Sequence, residues 1–317
     1  MLEKCLISHL YTADPSAHVF EGRLYLFPSH DRETDIADNE LGDHFDMIDY
    51  HVFSLDDLNG KVTDHGVALH LKDVPWAKKQ LWAPDAAFKN NCYYLYFPAK
   101  DKQGIFRIGV AISQNPAGPY IAEPKPIEGS FSIDPCSFVD EDGSAYLYFG
   151  GLWGGQLQSW NKGDYDPQGK EPIGSAPELA PRIAQLRSDM KEFTGPVEEV
   201  LILDENGEIL RADDHDRRFF EAAWVHKKNG IYYLSYSTGN THYLVYAISK
   251  NPWGPFTYVG RLMEPVIGWT THHSIAEYKQ KWYLFYHDSS LSSGKSNLRC
   301  VKVRELAYDE NGEMYLV

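Results

Sequence analysis

One short plan recurs five times along this chain. Residues 11–31, YTADPSAHVFEGRLYLFPSHD, hold an acid, a short apolar pair, a Gly turn and an apolar run. The same order returns at 83–101, 134–151, 221–239 and 272–288. Each copy reads as a strand, a turn containing Gly, Asn, Asp or Lys, and a second strand rich in Tyr and Leu. Just before each first strand stands a side chain with acid, base or ligand chemistry: Asp14, Asp85, Asp134, Glu221 and His272. From each of these to its aromatic run the gap is 9 to 12 residues. Five equivalent places therefore carry five reactive groups.

Self-similar units of several strands each predict propeller blades. The expected fold is all-β, a five-bladed β-propeller, with residues 1–317 forming a single domain. A second echo supports the period: AISQNPAGPY (111–120) and AISKNPWGPFTYV (247–259) both follow an aromatic run, and their Asn-Pro and Gly-Pro steps mark a tight turn into an outer strand. Three stretches break the regularity. Residues 32–50 form an acidic loop, 152–181 a Gly- and Pro-rich ordered loop, and 182–220 hold a hairpin with Asn-Gly at its tip. Helical periodicity is absent apart from one short turn expected within 189–199. The strand at 298–303, with MYLV at the terminus, is expected to complete a blade begun by the N-terminal residues.

The net charge of −15 repels phosphate backbones, so nucleic acid is excluded as a partner. A basic amphipathic face for an anionic membrane is missing, and no apolar run approaches the ~20 residues that span a bilayer. The N-terminus lacks the apolar core of a signal peptide, which predicts a cytoplasmic protein. Four scattered cysteines, Cys5, Cys92, Cys136 and Cys300, make no CxxC pair. They predict neither a zinc site nor a disulfide framework. Cys92 and Cys136 are expected as small buried apolar residues.

In a propeller the first strand of every blade lines the central channel. Asp14, Asp85, Asp134, Glu221 and His272 then ring one end of the axis. Carboxyls crowded there cannot all ionise freely: one pKa rises, and the others need a cation or hydrogen-bond donors. A protonated carboxylic acid beside an ionised one is the equipment of glycoside hydrolysis.

At this point the motifs resemble glycoside hydrolase family 43. The likeness rests on the acid in ADPSAHVFEGRLYLFPSHD, WAPD at 82–85, IDPCSF around Asp134, FFEAAW around Glu221, THHSI around His272 and the two NPxGP turns. It covers about residues 10–305. FPAKD, GGLWGGQ and WTTHHSI bring it nearest to the β-xylosidase branch. The resemblance implies a five-bladed propeller that cleaves β-xylosides, α-L-arabinofuranosides or arabinan with inversion. By motif it makes Asp14 the general base, Glu221 the general acid, and Asp134 the residue that orients Glu221 and raises its pKa. It makes His272 the ligand, direct or through water, of a calcium ion on the axis. It gives Asp85 no proton transfer, so that side chain is expected to be structural. Thr271-His272-His273-Ser274 departs from the family's single His between glycines, so His273 is a second candidate at the axis, as a substrate contact.

Further substrate contacts are expected from Trp82 and Trp153, whose faces stack on a sugar ring, and from Arg299, which reaches a sugar hydroxyl or Asp14. His30 and Asp31 have no assigned role. The expected activity is exo-hydrolysis of xylo-oligosaccharide from the non-reducing end, with arabinose-containing substrates as a side or main activity. A retaining fructan or sucrose hydrolase is disfavoured because Ala13 precedes Asp14 and Ser16-Ala17 follow Pro15. A sugar-binding propeller without catalysis would not need three carboxyls on the axis.

Overall fold

The computed structural model describes residues 4–317. Five antiparallel sheets follow one another along the chain and pack in a ring. Blade I comprises Tyr11–Phe20, Arg23–Asp31, Asp49–Leu55 and Thr63–His70. Blade II comprises Asp85–Lys89, Cys92–Asp101, Phe106–Ser113 and Ile121–Ala122, with Ala77–Lys79 pairing the other end of Cys92–Asp101. Blade III comprises Cys136–Val139, Ala145–Phe149, Arg182–Leu186 and Glu198–Glu199. Blade IV comprises Glu221–Lys228, Ile231–Ser237, Leu244–Ser249 and Phe256–Met263, with Ile202–Leu203 added in parallel at its outer edge. Blade V comprises His273–Tyr278, Lys281–Asp288, Cys300–Tyr308 and Met314–Leu316. Helix is limited to four short 3₁₀ turns among the described residues.

The aromatic runs are the second strands of the blades, and both their faces are covered. Side chains alternate across a strand. Leu24 and Leu26 pack with Phe285, Val301 and Val303 of blade V. Tyr25 and Phe27 face the other way, into a cluster with Ala86 and Leu95 of blade II. A strand buried on both faces needs apolar residues at every position, which explains runs such as Leu24–Phe27. Leu24, Leu26 and Phe27 are at most 1% exposed, and each buried side chain of this size contributes roughly 1.5–3 kcal/mol.

Three expectations need correction. Blade V takes all four strands from the C-terminal part of the chain, so the N-terminal residues do not complete it. They close the ring differently: Leu6 N–H donates to Val301 O and Thr12 N–H to Arg299 O. The second correction lies at the same seam, where Cys5 and Cys300 form a disulfide. Their separation of 295 residues hid the pairing, because only the closed ring brings the ends together. Cys92 and Cys136 remain free, and Cys136 is buried. Third, no helical turn forms within 189–199, which is a chain of turns and bends before Glu198–Glu199. The hairpin at 202–209 is present, held by Asp204 and Glu208 and by a bridge from Leu203 to Ile209.

Candidate active site

The five reactive residues do stand at the inner strands. Asp14 lies within the first strand of blade I, Asp85 and Glu221 begin those of blades II and IV, and Asp134 and His272 precede those of blades III and V. The backbone is bent at three of these points. Asp14, Asp134 and Ala222 have φ of +47°, +56° and +62°, in the left-handed region. Pairing slips between Ala13 and Ser16 in blade I and between Glu221 and Trp224 in blade IV. A bulge re-aims side chains that a regular strand would send into the sheet faces. Asp14, Asp134, Glu221 and His272 thereby reach one cavity of about 370 Å³.

Asp14 is the most elaborately held group. Its Oδ1 accepts from Arg299 at 2.9 Å and its Oδ2 from Ser29 Oγ at 2.7 Å. Its backbone N–H donates to His287 Nδ1 at 3.0 Å. That bond leaves the neutral imidazole proton on Nε2, which faces Thr270 O at 3.1 Å. Burial pushes the Asp14 carboxyl up, but Arg299 and, to a lesser degree, His287, His272 and Ser29 outweigh it and bring it down to about 2. Arg299 is itself fixed by Asp31, which takes Nε and Nη2 in a fork at 2.8 Å each. Asp31 is thus buried and supports Asp14 through Arg299, rather than lying on the surface. His30, its neighbour, does not line the cavity and bonds Asp49 instead.

Glu221 lies opposite in character. Among the described residues its carboxyl accepts no hydrogen bond. Phe220, Trp153 and Trp269 form an aromatic trio beside it, with ring centroids 5.0–5.8 Å apart. Burial, with the negative charge of Asp14 second, pushes its pKa up to about 8. Asp134 is also pushed up, by burial first and then by Glu221 and Asp14. The charge of Glu221 thus helps to raise Asp134, whereas the rise of Glu221 comes from burial and Asp14. Asp134 also anchors the backbone next to Glu221, since its Oδ2 accepts the N–H of Ala222 at 2.9 Å. Arg217 and Arg218 are engaged elsewhere, with Asp214, Glu205 and Glu171. At neutral pH one side of the cavity thus carries an ionised carboxylate and the other a protonated one.

The remaining candidates divide. Trp82 and Trp153 both line the cavity, with indole N–H groups tied to Phe45 O and Glu171. Arg299 lines it too. Asp85 does not: it accepts from Ser16, His18 and Ser137 and so stitches blades I, II and III together. His273 is a correction. It is fully buried, bonds Ser235 Oγ at 2.6 Å and does not reach the cavity. As the first residue of its strand, its side chain is turned into blade packing while His272 faces the axis. Sequence reading missed His287, Ser29, Thr270, Phe45 and Trp269. The repeat held a signal for the first: His30-Asp31 and His287-Asp288 end equivalent strands of blades I and V.

The sequence matches Glycosyl hydrolases family 43 over residues 7–314. The chain belongs to that family. A xylosidase/arabinosidase 43A of Humicola insolens is 63% identical over 318 residues, covering 98% of this chain and 97% of that protein. A β-xylosidase of Xylanibacter ruminicola is 50% identical, covering 97% of each chain. Among solved structures, a family 43 β-xylosidase/α-arabinofuranosidase from a compost metagenome, in complex with xylotriose and in a calcium-free form, superposes with a TM-score of 0.98. It shares 59% identity and covers 99% of this chain and 96% of its own. The five-bladed propeller and the assignment as a glycoside hydrolase follow directly.

For this family 43 enzyme the opposed carboxyls set a pH range. With Asp14 as base and Glu221 as acid, the roles that the family resemblance implies, turnover calls for Asp14 ionised and Glu221 protonated. Above about 8 Glu221 loses its proton, so log kcat/KM is expected to fall with a slope approaching −1. The acid limb, set by Asp14 near 2, lies below the range in which the fold is readily assayed. A pH profile on xylobiose, whose leaving sugar needs the proton, checks this. An alkaline limb beginning near pH 5 would remove Glu221 as a raised acid.

Proposed function

We propose that this enzyme is an inverting, exo-acting β-D-xylosidase that releases xylose from the non-reducing end of β-1,4-xylo-oligosaccharides, with α-L-arabinofuranosidase side activity. The observation that carries the reading is the pair of opposed settings in one cavity: Asp14 held by Arg299 and Ser29, and Glu221 beside aromatic rings with no hydrogen-bond donor among the described residues. Asp14 takes a proton from water as that water's oxygen bonds to the anomeric carbon. The bond from that carbon to the leaving oxygen breaks, and Glu221 gives its proton to that oxygen. After each turnover Asp14 is protonated and Glu221 ionised, and exchange with solvent resets both. Trp82 and Trp153 offer faces for the sugar rings, and Arg299 offers charge beside the base.

The names of the relatives support the xyloside and arabinofuranoside pair. The two pentoses present similar hydroxyls in different ring forms, which keeps α-L-arabinofuranosidase as main activity a second reading. A panel of β-xyloside, α-L-arabinofuranoside and β-galactoside aryl substrates is expected to rank the β-xyloside first and the galactoside last. Proton NMR of early products from a β-xyloside is expected to show α-xylose first. β-Xylose as first product would exclude single displacement. A binding module without catalysis would have no use for a proton poised on Glu221, and it would show no turnover of any substrate in the panel.

Calcium on the axis is part of the same proposal. Calcium takes six to eight oxygen ligands. The chain offers His272, whose Nδ1 stands 3.8 Å from Asp14 Oδ1 and 3.7 Å from Asp134 Oδ2, with no hydrogen bond to either. Burial holds this imidazole below its ordinary pKa, so the nitrogen is unprotonated at neutral pH. The donor set fits a hydrated ion with His272 as its one protein nitrogen and water as most of its shell. Such an ion would supply positive charge beside the carboxylates. Chelation followed by calcium return is expected to lower and restore kcat/KM, and to lower and restore the melting temperature by a few degrees. Identical melting with and without chelator would remove the ion from this reading.

A further inference from the structure

Blade I carries a side-chain cluster that hydrolysis does not use. Its second strand holds His30 and its third holds Asp49 and His51. Pairing of Tyr25 with Ser54 and Leu26 with Phe53, carried along the strands, sets His30 opposite Asp49. Asp49 and His51, two residues apart, share that face. The ladder between the third and fourth strands slips on both sides of His51, a distortion that re-aims its ring. As a result His30, Asp49 and His51 each offer a ligand atom, and these atoms lie within 4.8 Å of one another. The three side chains are 19%, 12% and 15% exposed, so they are shielded but reachable.

We propose that this cluster binds a first-row divalent transition metal, with zinc the ion that suits it best, and that the ion cross-links the second and third strands of blade I. Two imidazoles and a carboxylate form a donor set that zinc accepts, with water in a fourth position. Calcium and magnesium prefer oxygen alone. The outer partners agree. Asp64 Oδ1 lies 3.0 Å from His51 Nδ1, and its Oδ2 lies 2.9 Å from His9 Nε2. Metal-binding histidines commonly give their second N–H to a carboxylate, which fixes the ring and frees the other nitrogen. His30 Nδ1 stands 2.6 Å from Asp49 Oδ1, so two of the candidate ligand atoms already converge on one point.

The other face of these two strands supports the reaction centre. Asp31, next to His30, holds Arg299. Tyr50, between Asp49 and His51, donates its hydroxyl to Trp82 O at 2.5 Å. An ion here ties together the strands from which those supports hang without touching substrate. It stabilises the folded chain by binding it and not the unfolded one.

The test uses the intact chain, stripped with a chelator and titrated with zinc chloride by calorimetry, alongside thermal melts. Wild type is compared with His51→Gln and Asp64→Asn, and with His30→Gln if His51→Gln does not fold. Wild type is expected to bind one more zinc per chain than His51→Gln, which cancels any zinc taken by His272. Zinc should raise the melting temperature of wild type by several degrees and leave that of His51→Gln unmoved. Asp64→Asn should bind that zinc roughly 10–100-fold more weakly. The metal-free kcat of His51→Gln should equal that of metal-free wild type. Equal zinc counts and affinities in wild type and His51→Gln would overturn the proposal, as would zinc binding that leaves the wild-type melt unchanged.

Discussion

Replacing Glu221 by Gln lowers kcat on xylobiose by roughly 10²–10⁴-fold and removes the alkaline limb of the pH profile. The amide keeps the size of the carboxyl and needs no new partner, because Glu221 accepts no hydrogen bond from the described residues. What it loses is a proton. A sugar leaving as an alkoxide is a poor leaving group, so the cost falls on bond cleavage. The loss therefore depends on the leaving group. An aryl xyloside with an acidic phenol departs without protonation, and there Glu221→Gln should retain most of its kcat. Asp14→Asn should behave in the opposite way, because water must be activated whatever departs. Its loss should be of similar size on xylobiose and on the activated aryl xyloside. Steady-state kinetics of both variants on both substrates decide the roles. If Glu221→Gln slows both substrates equally while circular dichroism matches wild type, Glu221 is not the acid.

The environments that separate these two carboxyls were only partly legible in the sequence. The repeat placed Asp14, Asp134, Glu221 and His272 at equivalent points of successive blades, and the cavity does gather them. Phe220 beside Glu221 also pointed to the apolar setting that raises it. The lowering of Asp14 was less readable, because it depends on groups from three other strands. Ser29 and Asp31 lie on the second strand of blade I, and Arg299 precedes the third strand of blade V. His287 comes from the second strand of blade V. Ser29 and Asp31 come from the strand paired with that of Asp14, but the approach of Arg299 and His287 is a property of the ring's closing seam, and no local pattern encodes a seam. The disulfide from Cys5 to Cys300 lay hidden for the same reason. Pocket walls from loops were also illegible: Phe45 and Trp269 stand in segments whose shape is set by tertiary bonds such as Trp82 Nε1 to Phe45 O. His273 shows the reverse failure. Two adjacent histidines at a strand start must point to opposite sides, and composition did not say which side was the axis.

Replacing Arg299 by Leu costs about 3–5 kcal/mol of stability, the usual effect of removing one partner from a buried ion pair. For a chain of this size that is a fall in melting temperature of roughly 5–8 °C. Arg299 sits 3% exposed between Asp31 and Asp14 and donates to both. Without it two buried carboxyls face each other unpaired, with Ser29 and two weakly basic imidazoles as the remaining help. Burial, the influence that already pushes Asp14 up, is then no longer outweighed. The base should rise from about 2 to above the ordinary 3.8, and the acid limb of kcat/KM should move into view. The sign is set by the charge removed: losing a cation disfavours the ionised carboxylate, so activity is lost as pH falls through the new, higher value. Arg299→Lys keeps the charge but not the fork on Asp31, so it should lie between wild type and Arg299→Leu in both measures. A guanidinium that served only to bind sugar would give a different pattern. KM would rise, the acid limb would stay where it was, and Asp14 would remain ionised at every pH that the fold survives. The pH dependence of kcat/KM for the three proteins therefore separates support of the base from contact with the substrate.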